Sequence, residues 1–260
     1  MAMRGAMNSE LHGAAVNPHI NLPATVRVQR DADPAAQAAA LAAAVAAQLR
    51  SAIAARGAAS LVVSGGRTPS AMFAHLAREA LDWSRVQITL ADERWVGFDH
   101  PASNERLVHA ELLHGAPAAA RLIGMKNDAE TPQAGAQHAW QMISAMPRPF
   151  DLVLLGMGDD GHTASLFPGS AELAAGLDMR AAPGCLGVRP VGAPFARLSL
   201  NLAALLDSRH ICIQIVGAQK WQVYEQACAS GDTAAMPVRA ILRQAGVPVD
   251  VYWCPEGSVA

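Results

Sequence analysis

The sequence predicts an α/β protein with a mostly parallel sheet and helices on both faces. Three observations carry this expectation. Short apolar runs alternate with helical patterns along most of the chain, the order of a parallel sheet joined by crossovers. Runs such as residues 60–63, 150–155 and 211–216 are apolar at nearly every position, as strands covered on both faces are. Polar clusters follow directly after several strands, where such sheets bind ligands.

Residues 25–29 alternate and read as a short edge strand. Asp33 then offers a capping side chain, and Pro34 a first helical position with its φ already set. Leu41, Val45, Leu49 and Ile53 follow at steps of four, one apolar stripe for packing on a flat surface, and Gly57 is placed to end the helix. Residues 60–63 form a short buried strand. Pro69 opens a helix carrying Met72, Phe73 and Leu76. Residues 86–90 are the next strand, ending in Asp92-Glu93-Arg94. A helix over about 104–113, a short strand at 121–124 and a helix over 132–146 lead to 150–155, the most apolar strand. Residues 197–202 alternate like a strand, 211–216 form another buried one, and a helix containing Lys220 follows. A helix over 237–244 and a closing strand at 249–253 complete the pattern. The stretch 181–194, rich in Pro, Gly and Ala, reads as a loop or an excursion. Residues 1–22 read as a flexible N-terminal tail, and residues 23–260 as one α/β domain.

An apolar fraction of 52% over 260 residues is enough for a sizeable core, and a formal net charge of -2 leaves no electrostatic footprint for nucleic acid. Basic runs that would mark a nucleic-acid or membrane-surface arm are missing. No stretch reaches the ~18 uncharged apolar residues of a membrane span, and the first residues lack the apolar core of a secretory signal. Cys185, Cys212, Cys228 and Cys254 stand singly, without the CxxC spacing of a zinc or redox site. Free thiols fit a reducing compartment, the cytoplasm. Cys212, inside an apolar run, reads as a small core residue.

Three polar clusters sit at strand ends: Ser64 to Thr68, Asp92 to Arg94, and Asp159 to His162. Ser64-Gly65-Gly66-Arg67-Thr68-Pro69 is a glycine turn opening a helix. It reads either as an anion cradle, backbone N–H groups turned to a phosphate, or as a plain turn capped by Thr68. It is not a nucleotide P-loop, since no Gly-Lys-Ser/Thr lies at the required spacing. Residues 156–161 satisfy G-x-G-x-x-G after a strand, but Asp159 and Asp160 would set negative charge beside a pyrophosphate, and no acid ends a strand at the right distance downstream. The same loop carries His162 beside Asp160. Histidine is the side chain suited to taking a proton at neutral pH, and a carboxylate can hold its tautomer, so it reads as a base or, more plainly, as a cap of a following helix. Asp92-Glu93-Arg94 is either a solvated turn or an acid with an anion-holding guanidinium. Arg197 and Lys220 read singly as surface charges, and Trp95 and Trp253 as packing residues. No Ser lies in G-x-S-x-G, and no H-E-x-x-H or paired Cys/His spacing supports a metal.

Taken together and in this order, the clusters resemble the 6-phosphogluconolactonase family, from about Leu61 to Trp253. The resemblance runs through Val63-Ser64-Gly65-Gly66-Arg67-Thr68-Pro69, Ala91-Asp92-Glu93-Arg94-Trp95-Val96 with Ser103-Asn104-Glu105, and Leu155-Gly156-Met157-Gly158-Asp159-Asp160-Gly161-His162-Thr163-Ala164-Ser165-Leu166-Phe167-Pro168. It implies a Rossmann-like fold shared with the glucosamine-6-phosphate isomerase superfamily, and hydrolysis of a sugar-phosphate lactone with no cofactor and no metal. It implies His162 as general base with Asp160 beside it and Arg94 in the catalytic set. Ser64, Gly65, Gly66, Thr68, Asp92, Asn104, Arg197 and Lys220 are implied as the substrate-binding set. The expected partner is the small-molecule lactone, not nucleic acid or membrane, and the oligomeric state stays open, a monomer included. The isomerase relatives use a glutamate where Phe167 stands here, which favours a lactonase over an amino-sugar phosphate isomerase or deaminase. A non-catalytic sugar-phosphate sensor is the remaining rival, against which His162 beside Asp160 speaks.

Overall fold

The computed structural model describes residues 22–66 and 68–257. Of the segment read as a tail, residues 1–21 lie outside the described residues, and Leu22 packs against the core. In chain order the elements are β1 (Val26–Arg30), α1 (Pro34–Arg56), β2 (Ala59–Val63), α2 (Pro69–Leu76), β3 (Val86–Leu90), β4 (Asp92–Arg94), α3 (Asn104–Glu111), β5 (Arg121–Ile123), α4 (Pro132–Ser144) and β6 (Leu152–Gly156). After these come α5 (Leu173–Leu177), β7 (Cys185–Val188), β8 (Arg197–Leu200), α6 (Leu202–Leu206), β9 (Ile211–Val216), α7 (Ala218–Cys228), α8 (Val238–Arg243) and β10 (Val249–Cys254).

Seven strands form a wholly parallel sheet in the order β1-β10-β9-β6-β2-β3-β5. Every residue of β2 is buried, as are all but the last of β6 and β9, so both faces of the sheet centre are covered. Helix α1 covers part of it, packing on β2, β6 and β10. Its start and stop follow the chemistry of its ends. The Asp33 carboxylate accepts from Ala36 N–H at 2.8 Å, Pro34 follows, and Gly57 closes the helix at φ 80° with its N–H bonded to Ile53. The alanines let the helix lie close to the strands, while Leu41, Val45 and Leu49 fill the space between. Length and hydropathy alone would let α1 cross a membrane, but its apolar stripe is spent on the sheet.

Three sequence expectations change here. Asp92-Glu93-Arg94 is not the tail of β3 but a separate strand. The chain leaves the large sheet at Ala91, whose N–H still bonds Val63 while its carbonyl already accepts from Leu200. Strand β4 then pairs antiparallel with β8, and β8 with β7, in a second, three-stranded sheet. The stretch 181–194 supplies β7, an edge too short and too Gly/Pro-rich to show a strand pattern. The strand expected at 150–155 begins at Leu152; Phe150 makes only an isolated bridge to Ser208. The four cysteines are unbonded, with Cys212, Cys228 and Cys254 buried.

Because Leu41 is fully buried under α1, Leu41→Ala should lower stability by about 2–5 kcal/mol in urea unfolding. A loss near zero would show that α1 does not carry the sheet.

Candidate active site

The order of the large sheet turns around between β2 and β6. From β2 the chain moves outward through β3 and β5; from β6 it moves the other way through β9 and β10. Crossovers diverging from neighbouring strands leave a crevice at the strand C-termini, the usual ligand site of such sheets. Ser64 to Thr68 follows β2 and residues 157–162 follow β6, so both clusters flank that crevice. It forms a cavity of about 290 Å³. Ser64, Gly65, Thr68, Asp92, Arg94, Asn104, His162, Arg197 and Lys220 all line it. Of the residues expected at the site, Gly66 and Asp160 alone are not in its wall. Arg67 lies outside the described residues.

The imidazole is held from three sides. His162 Nδ1 lies 2.6 Å from Asp160 Oδ1, which also accepts the His162 backbone N–H at 3.0 Å. The ring stacks on Phe167 with centroids 3.9 Å apart and planes at 27°. Gly158 passes so close that a Cβ there would sit 2.0 Å from Nδ1 and 2.6 Å from Asp160 Oδ1. No helix follows until α5, so His162 caps none, and the G-x-G-x-x-G stretch opens no helix for a dinucleotide. Asp160, its side chain 48% exposed, supports the ring from outside the cavity. Burial pushes its carboxyl up, but the hydrogen bonds from the His162 ring and backbone outweigh this and hold it below its ordinary value. The stability this contributes is present above the ordinary carboxylate pKa and lost as pH falls through the lowered one.

Two of the three cations come from the small sheet. Arg94 and Arg197 face each other across the β4–β8 ladder. Asp92 lies beside them: its Oδ2 is 3.5 Å from Arg197 Nη1 and accepts from Ser165 Oγ at 2.5 Å. The Arg197 side chain is 12% exposed and its Cζ lies 5.0 Å from the Phe167 ring centroid. Burial lowers this guanidinium from its ordinary value, and Asp92 opposes that. The Nε atoms of both arginines are buried without partners among the described residues. Lys220, from the first turn of α7, is paired with Asp159 at 2.7 Å.

The β2 turn departs from its expected reading in two ways. Thr68 makes no side-chain cap to α2. Gly65 is required by protein packing, since a Cβ there would fall 1.9 Å from Asn104 Oδ1, while Gly66 takes φ 104°. Asn104 is in turn fixed by Glu93, whose carboxylate accepts the N–H groups of Arg94 (2.6 Å), Asn104 (2.8 Å) and Glu105 (2.8 Å). Glu93 is buried and thereby held above its ordinary pKa, against the pull of those donors. Ser165, the backbone-binding role of Glu93 and the stacking of Phe167 on the imidazole were not read from the sequence. Only the motif stretches that contain these residues pointed that way.

This fold and site define a protein of the sugar-phosphate isomerase and lactonase class. A family model described as glucosamine-6-phosphate isomerases/6-phosphogluconolactonase matches residues 32–253, and the chain belongs to that family. Within it, the chain is similar to a 6-phosphogluconolactonase of Pseudomonas putida, 45% identical over 91% of this chain and 96% of the relative. A 6-phosphogluconolactonase of Rhizobium meliloti is 46% identical over 86% of this chain and 96% of its own length. The crystal structure of a 6-phosphogluconolactonase from Shewanella baltica superposes with a TM-score of 0.86, at 48% identity, over 90% of this chain and 99% of that one.

Gly158→Ala should displace the imidazole. The NMR ring resonances of His162 are expected to shift while the fold persists; unchanged resonances would refute the packing just described.

Proposed function

We propose that the protein hydrolyses 6-phospho-D-glucono-1,5-lactone to 6-phospho-D-gluconate, the second step of the oxidative pentose phosphate pathway, with His162 as general base. The observation that carries this reading is that an imidazole and a glycine turn, about a hundred residues apart in sequence, line one cavity. The similarity to lactonases over nearly the whole chain supports it. Phe167 speaks against amino-sugar isomerisation, because an apolar ring moves no protons.

The substrate phosphate anchors at the Gly65 and Gly66 turn with Arg197 and Lys220, which directs the lactone carbonyl toward His162. With Nδ1 donating to Asp160, Nε2 carries the lone pair. It takes a proton from water as the water oxygen bonds to the carbonyl carbon. Arg94 offsets the charge gathering on the carbonyl oxygen. Collapse breaks the bond to the ring oxygen, the imidazolium returns its proton there, and the C5 hydroxyl and a carboxylic acid result; the acid releases its proton to solvent and leaves as the carboxylate. Asp160 acts through His162, as a positioning residue. No step is routed through a metal. The four free cysteines support a reducing cytoplasm as the working compartment.

The direct test follows decay of 6-phosphogluconolactone generated in the assay, with glucosamine-6-phosphate as control. Faster lactone decay without ammonia release is expected; no acceleration overturns the reading. His162→Ala should lower kcat by roughly 10²–10⁴-fold, and near-normal turnover would remove it as base. Asp160→Asn should move the acid limb of kcat/KM to lower pH, because the imidazolium loses its anionic partner. Since Asp160 is half exposed, kcat should fall less than the ~10⁴ of a fully buried carboxylate. An unmoved acid limb would show that Asp160 does not influence the base.

A further inference from the structure

The cavity wall holds an acceptor that the mechanism above does not use. Gln214, in β9, is 6% exposed and lines the cavity. Its amide is oriented from α1. Fully buried Gln37 donates through Nε2 to the carbonyl oxygens of Ile215 (2.9 Å) and Tyr252 (3.0 Å). That leaves Gln37 Oε1 as an acceptor, and Gln214 Nε2 donates to it at 3.0 Å. With the nitrogen of Gln214 engaged, its oxygen points elsewhere, and Oε1 is buried with no partner among the described residues.

The space at the neighbouring strand position is open. Gly156 stands opposite Gln214 in the β6–β9 ladder, so the two project to the same face of the sheet. A Cβ at Gly156 would meet nothing within 4 Å. Gly156 and Gln214 both line the cavity. The bare glycine thus leaves room for a ligand group next to a carbonyl oxygen whose orientation the core has fixed.

An unpaired buried acceptor selects its ligand by chemistry, because leaving it unmatched is unfavourable. A phosphate dianion, a carboxylate and a lactone carbonyl have no proton to give. A sugar hydroxyl does. We propose that Gln214 Oε1 accepts a hydrogen bond from one secondary hydroxyl of the sugar lactone. Gln214 is then a specificity-determining residue, and Gln37 the positioning residue that aims it. The inference rests on the lactonase reading.

The test compares wild type and Gln214→Leu on the parent lactone and on lactones each lacking one hydroxyl, made in the assay from deoxy hexose 6-phosphates. Wild type is expected to lose about 5- to 100-fold in kcat/KM on one deoxy substrate. Gln214→Leu should lose about as much on the parent and be indifferent to that one deletion. Gln37→Leu, which releases the amide, should narrow the same discrimination and leave the others unchanged. Uniform loss on every substrate, or wild-type indifference to every deletion, overturns the proposal. If Gln214→Leu does not fold, Gln214→Met and the wild-type series decide by the same criteria. Failure of wild type to speed decay of the parent lactone would instead sink the lactonase reading. Calorimetric binding of the corresponding deoxy phosphogluconates then reads the discrimination without turnover.

Discussion

Strands β2 and β6 hydrogen-bond to each other through residues 61–63 and 152–154, although some ninety residues separate them in sequence. The crossovers leaving these two strands run in opposite directions along the sheet, and nothing fills the gap between their departures. That divergence fixes where a ligand can enter. It also explains why two loops so distant in the chain share a wall: each is the first stretch after a strand whose own register is set by buried side chains. Both loops are therefore anchored on strands of the buried sheet centre.

The small antiparallel sheet completes the cleft from above the strand ends. It begins where Ala91 bonds both to Val63 of the large sheet and to Leu200 of the small one. This double engagement turns the chain and sets Arg94 across from Arg197. Like charges opposite each other in a ladder repel, and Asp92 opposes this through its pairing with Arg197. Two guanidinium groups lining one cavity favour anions within it. Glu93 contributes differently, by tying the start of α3 to β4 and so bringing Asn104 against Gly65.

Much of this was legible beforehand, for identifiable reasons. The ends of α1 were readable because Asp33, Pro34 and Gly57 act through local geometry. The central strands were readable because burial on both faces forces apolar residues at every position. The three polar clusters were readable because they interrupt that pattern abruptly. The second sheet was not legible: β4 is three charged residues long and β7 lies in a Gly/Pro-rich stretch, so neither shows a strand period. The direction of a carboxylate was not legible either. Glu93 and Asp92 are adjacent, yet one caps a helix and the other pairs with a guanidinium. Gln37 was hidden for a similar reason, as one of two glutamines in an alanine-rich helix, with partners some 180 residues onward.

The unbonded cysteines have a practical corollary. Burial pushes the thiols of Cys228 and Cys254 up to about 11 and that of Cys185 to about 12, and raises Cys212 as well. Thiolate, the form that attacks peroxides and alkylating reagents, is then scarce in the folded chain near neutrality. Peroxide exposure or prolonged storage in air should leave the native molecule chemically untouched at these positions. The same reagents would label a molecule that has opened, which makes sulfur reactivity a ready gauge of how much of a preparation is intact.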